Sequence, residues 1–262
     1  MRTTIHDLLK MKQDHQPIPM LTCYDYTSAK ILDSAGVPVL LVGDSLGTVV
    51  LGFDSTLPVT LDMMIHHCGA VSRGAKNALI VMDLPFATYS AADPAMTLKN
   101  AARALSEGGA HAVKLEGGTR MAPVVAALVA SGIPVMGHTG LTPQSVHQFG
   151  GYRMQGKDDI SKKKLLEDVL ELEAAGAFAV VLELVQSDLA AQLTARLKIP
   201  TIGIGAGRDC DGQVQVFHDI FGLFEDFVPK HAQRYAQIAN TIRDAAKAYV
   251  SDVAGGKFLK QP

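Results

Sequence analysis

Along the chain, short continuous apolar runs alternate with longer segments whose apolar residues recur at helical spacing. The runs Ile18–Thr22, Pro38–Val42, Ala78–Met82, Ala112–Leu115, Pro134–Gly137, Ala179–Leu182 and Pro200–Ile204 predict strands, and Phe224–Val228 supplies an eighth. They are apolar at successive positions rather than at every second one. That is the pattern of strands covered on both faces, and so of a parallel sheet wrapped by helices. Between them, segments such as Ala95–Glu107 and Lys164–Ala175 read as helices. Ala35-Gly36-Val37-Pro38 and Ser131-Gly132-Ile133-Pro134 each put a glycine helix cap just before a proline-led strand. Leu197-Lys198-Ile199-Pro200 leads into its strand through proline alone, while Gly108-Gly109 and Gly176 turn the chain without one.

About eight such units with no second regime of composition predict one (βα)₈ barrel domain over residues 1–262, with an open doubly wound sheet as the alternative. Composition adds exclusions. The 262 residues carry a formal net charge of −2, so no basic stripe invites nucleic acid. No apolar run approaches the roughly 18 residues that span a bilayer, and the polar, mixed first twelve residues lack the apolar core of a signal peptide. Cys23, Cys68 and Cys210 are scattered and odd in number, which fits a reducing compartment rather than a disulfide framework. The expectation is a soluble, cytoplasmic enzyme.

Chemistry in such barrels sits at the carboxyl ends of the strands. The apolar runs end in Asp44-Ser45, in Asp83, in Lys114-Leu115-Glu116, in His138 and in Glu183. An aspartate just after a strand is often only a helix cap. Lys114 and Glu116 share one strand face and could be a structural ion pair. Glu183 is different: it lies inside Val180-Val-Leu-Glu-Leu-Val185 with no neighbouring cation, a burial cost that points to function. Oxygen donors without a His/Cys cluster suit a hard cation such as Mg²⁺, which takes one or two carboxylates and leaves its other positions to water and substrate. A 2-oxo acid can fill two of those. A separate desolvated base, for which Glu183 fits, would then remove the proton beside the carbonyl. The adjacent pair His66-His67 cannot point both rings at one ion from a helix. Gly203-x-Gly205-x-Gly207 lacks the dinucleotide spacing and reads as a tight turn or a close backbone approach.

The motifs Gly43-Asp-Ser-Leu-Gly47, Asp54-Ser-Thr-Leu-Pro-Val-Thr60, Asp83-Leu-Pro-Phe86 and Val113-Lys-Leu-Glu-Gly-Gly118 occur in order. Gly140-Leu-Thr-Pro-Gln144, Phe149-Gly-Gly-Tyr152, Gly203-Ile-Gly-Ala-Gly207 and Asp211-Gly-Gln213 follow. From about Thr3 to Tyr249 the chain resembles the 3-methyl-2-oxobutanoate (ketopantoate) hydroxymethyltransferase family of pantothenate biosynthesis. It departs from that pattern at Thr139, Leu184 and His231.

The resemblance implies a magnesium-dependent barrel of the phosphoenolpyruvate/pyruvate superfamily. It implies transfer of a one-carbon unit from 5,10-methylenetetrahydrofolate to 3-methyl-2-oxobutanoate, giving 2-dehydropantoate and tetrahydrofolate. Carried over by motif, Asp44 and Asp83 hold Mg²⁺, with Glu116 in its sphere through water. Ser45 and Lys114 bind the oxo acid alongside Asp44 and Asp83, His138 lines the pocket, and Glu183 is the base. The family pattern also implies a homo-oligomer, commonly a decamer. Three other readings stand beside it: a lyase or mutase on the same scaffold, a flavin or nicotinamide oxidoreductase using the glycine turn, and a non-catalytic binding barrel, for which Glu183 would be an unneeded burial cost.

Overall fold

The computed structural model describes residues 2–258. Two compact units divide the chain, 1–215 and 216–262. The first holds eight parallel strands closed into a barrel in sequence order. They are β1 (Ile18–Thr22), β2 (Val39–Val42), β3 (Leu79–Asp83), β4 (Ala112–Glu116), β5 (Val135–Gly140), β6 (Ala179–Glu183), β7 (Thr201–Ile204) and β8 (Gly212–Gln215). The closed barrel excludes the open doubly wound sheet.

Three strands begin one residue after the expected proline: Pro38, Pro134 and Pro200 stand just outside β2, β5 and β7. Proline has no N–H to give a strand ladder, so pairing starts at the next residue. Before two of these strands the glycine cap adopts the left-handed conformation, Gly36 at φ +84° and Gly132 at φ +82°. The eighth strand is not Phe224–Val228. It is Gly212–Gln215, whose residues alternate between buried and half-buried, a period-two pattern that a search for continuous apolar runs passes over.

Strand alternation sorts the side chains. Met20, Val39, Leu41, Leu79, Val81 and Ala112 belong to one buried cluster, with Met136, Ala179, Val181, Ile202 and Val214. Within each strand these positions are two apart, as residues sharing the inner face must be. The helix Ile5–Gln13 is capped by Thr4 and Asp7, each binding the other's backbone N–H, and it packs Ile5, Leu8 and Met11 against this cluster.

The second unit contains the short helix Phe217–Ile220 and the helix Ile238–Ala254. None of the residues in Ile238–Ala254 is buried. Among the described residues no helix is long and apolar enough to cross a membrane.

Candidate active site

Continuing the inner face of each strand by two residues gives the site. Val81 leads to Asp83, Ala112 to Lys114 and then Glu116, Met136 to His138, and Val181 to Glu183. Apolar side chains fill the lower layers, and the layer at the carboxyl ends is ionisable. Strand register then sets the neighbours: Asp83 pairs with Lys114 across β3 and β4, and Glu116 with His138 across β4 and β5. Asp44 enters from the turn after β2. There Gly43 continues the inner face of Leu41, and a Cβ at Gly43 would lie 2.9 Å from Ser45 Oγ and 3.5 Å from Asp83 Oδ2.

Neither aspartate is a helix cap. Asp44 donates its own backbone N–H to Asp83 Oδ2 at 3.1 Å, and its carboxylate accepts from Gln144 Nε2 at 2.8 Å. Nor do Lys114 and Glu116 form a pair of their own. Lys114 Nζ lies 3.0 Å from Asp83 Oδ1 and 3.0 Å from His138 Nδ1, while Glu116 Oε2 accepts the Gln144 backbone N–H at 3.0 Å. Glu183 Oε2 is 3.2 Å from His138 Nε2. Ser45 Oγ is 2.9 Å from the Tyr24 hydroxyl.

Three buried carboxyl groups and the largely buried Glu183 thus surround one ammonium, and their proton affinities reflect it. Burial, then the Asp83 charge, lifts Asp44 to about 7. Burial also raises Asp83 against the pull of Lys114, and burial with Asp44 holds Glu116 well above the usual carboxylate range. Burial brings Glu183 to about 8. Burial works against the Lys114 ammonium, yet Asp83, Glu116 and Asp44 outweigh it and keep the charge. Burial and that ammonium hold His138 well below the ordinary imidazole value. A neutral ring facing Lys114 presents its Nδ1 lone pair there, which leaves the proton on Nε2, an atom buried without a well-formed hydrogen bond 3.2 Å from Glu183 Oε2.

The ketopantoate hydroxymethyltransferase family model matches residues 2–261. The chain belongs to this family. A 3-methyl-2-oxobutanoate hydroxymethyltransferase of Chloroflexus aggregans is 59% identical over 258 residues, covering 98% of this chain and 91% of that protein. Membership makes the chain a transferase. Solved neighbours share the fold at low identity. A 2,3-dimethylmalate lyase of the PEP mutase/isocitrate lyase superfamily has a TM-score of 0.60 at 16% identity, covering 100% of this chain and 91% of that one. A phosphonopyruvate hydrolase in complex with oxalate and Mg²⁺ has a TM-score of 0.62 at 12% identity, covering 96% and 88%.

For a hydroxymethyltransferase with a divalent cation, the donor set is suitable. Asp83 Oδ1 is buried without a well-formed hydrogen bond, and the carboxyls outnumber the single ammonium beside them. Among the described residues no three His, Cys, Asp or Glu side chains form a metal-binding group. Asp44, Asp83 and Glu116 are therefore not one enclosing ligand set, and Glu116 is tied to Asp44 through Gln144 instead. An ion that takes one or two protein carboxylates is the kind this arrangement fits.

Three residues escaped the sequence reading. Gln144 bridges Asp44, Glu116 and the Leu84 carbonyl at 3.0 Å. The Tyr89 hydroxyl donates to Gln144 Oε1 at 2.7 Å and accepts the Glu116 N–H at 3.1 Å. Tyr24 holds Ser45. The only signal for Gln144 was its place in Gly140-Leu-Thr-Pro-Gln144; Tyr24 and Tyr89 had none. Thr139, where the chain departs from the family pattern, falls on the outer face between His138 and Gly140, away from the acids.

Proposed function

We propose that this enzyme transfers a hydroxymethyl group from 5,10-methylenetetrahydrofolate to 3-methyl-2-oxobutanoate, yielding 2-dehydropantoate and tetrahydrofolate in pantothenate biosynthesis. One water is consumed, and its oxygen becomes the new hydroxyl. The observation that carries this reading is Glu183, a largely buried carboxyl with a pKa of about 8 lying 3.2 Å from neutral His138 beside Lys114. Such a group holds and releases a proton near neutral pH, as removal of the weakly acidic C3 hydrogen of a 2-oxo acid requires.

In this reading Asp44 and Asp83 would hold Mg²⁺, with Glu116 nearby as a further acid. When bound, the ion would supply positive charge to polarise the keto group and offset the negative charge left by proton removal. The oxalate and Mg²⁺ of the phosphonopyruvate hydrolase neighbour support that choice of ion and ligand class. Lys114 and Ser45 bind the oxo acid, the ammonium facing its carboxylate. Glu183 takes the C3 proton, and His138 lines the pocket beside it. The test is exchange of the C3 proton for deuterium with Mg²⁺ present, followed by turnover with methylenetetrahydrofolate. Absence of both in the purified protein would remove the assignment.

The same reading makes the enzyme cytoplasmic and homo-oligomeric, as a decamer. Free Cys23, Cys68 and Cys210 suit a reducing compartment. On the helix Ile238–Ala254, Ile242, Tyr249, Val250 and Val253 form an exposed apolar stripe, a face that a second copy would cover.

A further inference from the structure

The oxo acid is small and is accounted for by the ionisable layer inside the barrel. The one-carbon donor is large, and nothing described so far receives it. Two cavities among the described residues bear on where it goes. One, of about 600 Å³, is lined by Thr139, Gly117, Arg120 and Lys164. Thr139 faces outward from β5, so this cavity lies behind the strand wall, and Lys164 is already paired with Asp168 at 2.9 Å. The other, of about 410 Å³, is lined by Asp54, Ser55, Val146, His147 and Tyr152.

The second cavity is tied to the acids on both sides. Its 54–55 wall follows Phe53, whose N–H bonds the Gly47 carbonyl at 2.8 Å, within the turn that carries Asp44 and Ser45. Its other wall, at Tyr152, is stitched to the strand that carries Glu183. Gln155 donates its N–H to the Leu184 carbonyl at 2.7 Å, and Gln186 donates back to Gln155 at 3.2 Å. The cavity therefore lies between a loop tied to the Asp44 turn and a loop tied to the end of the Glu183 strand. The phenol of Tyr152 registers this position: partial burial of its hydroxyl, then Glu183, Asp44 and Glu116, raise its pKa.

Its lining suits a flat nitrogen heterocycle. Among the described residues Asp54 is exposed and takes no hydrogen bond, and the Tyr152 ring, 60% exposed, has no ring partner. We propose that this cleft holds the pterin ring of the folate donor, with Asp54 accepting the adjacent ring N–H and exocyclic amine and Tyr152 stacking on the ring face. A carboxylate is acceptor-only and matches two parallel donors, and a phenol ring offers a sequence-independent platform for a heteroaromatic. The placement sets the donor carbon between the acids that hold the oxo acid and the base that activates it. It rests on the hydroxymethyl-transfer reading above.

The experiment compares Asp54→Asn, Tyr152→Ala and, as a control in the other cavity, Arg120→Ala. Tetrahydrofolate affinity is measured by calorimetry, and C3 deuterium exchange of the oxo acid is measured without any folate. Asp54→Asn and Tyr152→Ala should each weaken tetrahydrofolate at least tenfold and raise the donor KM, while exchange continues in both. Arg120→Ala should leave tetrahydrofolate affinity as in the parent. Unaltered affinity in both cleft variants, or a loss confined to Arg120→Ala, overturns the cleft assignment. A parent enzyme that neither exchanges the proton nor binds tetrahydrofolate overturns the underlying reading instead. Both cleft side chains are exposed, so circular dichroism should show the fold retained.

Discussion

Replacing Glu183 with glutamine separates what this carboxyl does for chemistry from what it does to the fold. Burial moves its pKa from 4.5 to about 8, and at about 1.4 kcal/mol per tenfold change in proton affinity this is worth up to about 5 kcal/mol. The sign follows from proton occupancy. The folded chain keeps the proton up to about 8, whereas the unfolded chain releases it near the model-peptide value of about 4.3. Stability is therefore full below the unfolded value and is lost as pH rises through the folded one.

A neutral amide at this position carries no such penalty, so Glu183→Gln should lie within about 1 kcal/mol of the parent near pH 5 and exceed it by several kcal/mol near pH 9. The check is thermal or denaturant midpoints of both proteins across that range, at one protein concentration and with a chelator present. In parallel, C3 deuterium exchange should fall by about 10²–10⁴ in the variant, the usual contribution of a positioned base. In the parent, exchange should climb with pH toward a plateau, because only the deprotonated carboxyl accepts the proton. A stability difference that does not change with pH would refute the claim that the site desolvates Glu183. Exchange at the parental rate would refute its role as base.

Other consequences are open to measurement. Asp44→Ala and Asp83→Ala should weaken Mg²⁺ binding and the metal-dependent binding of the oxo acid, read by calorimetry; unchanged metal dependence in both removes the ion from that site. Gln144→Ala deletes the donor to Asp44, and hydrogen bonds to charged groups are worth about 1.5–3 kcal/mol. It should therefore weaken Mg²⁺ at least tenfold, with Gln144→Glu no better, because a carboxylate has no N–H to donate to Asp44. Tyr249→Glu, in the exposed stripe of the helix Ile238–Ala254, should lower the assembly size in sedimentation; an identical sedimentation coefficient would exclude that face from self-association.

Much of the site could be read from the chain because a strand has a period of two. Once β3, β4, β5 and β6 were placed, Asp83, Lys114, Glu116, His138 and Glu183 all fell on the inner face with the apolar residues below them. Glu183 stood out by itself, since an unpartnered carboxylate in an apolar strand has few structural uses. What alternation cannot give is which neighbour each charge meets. Lys114 shares its strand with Glu116 but pairs with Asp83, because the β3–β4 register sets Asp83 opposite Lys114. That register is a property of barrel closure, which no local window contains.

The same reason explains why Gln144 went unassigned. It lies 100 residues from Asp44 and 28 from Glu116, on the turn after β5, and its chemistry in isolation is that of any glutamine. Its importance arises only where two acids must be held apart yet on one rim. An amide meets that need with its side chain and its backbone N–H at once, adding no charge of its own. A lysine there would compete with the cation, and a carboxylate would have no N–H to give Asp44. The neutral bridge is therefore as much a part of the proposed metal chemistry as the acids it joins, and the Gln144→Ala and Gln144→Glu pair tests that claim directly. A loss of Mg²⁺ affinity in both, with the fold intact, is what the geometry requires.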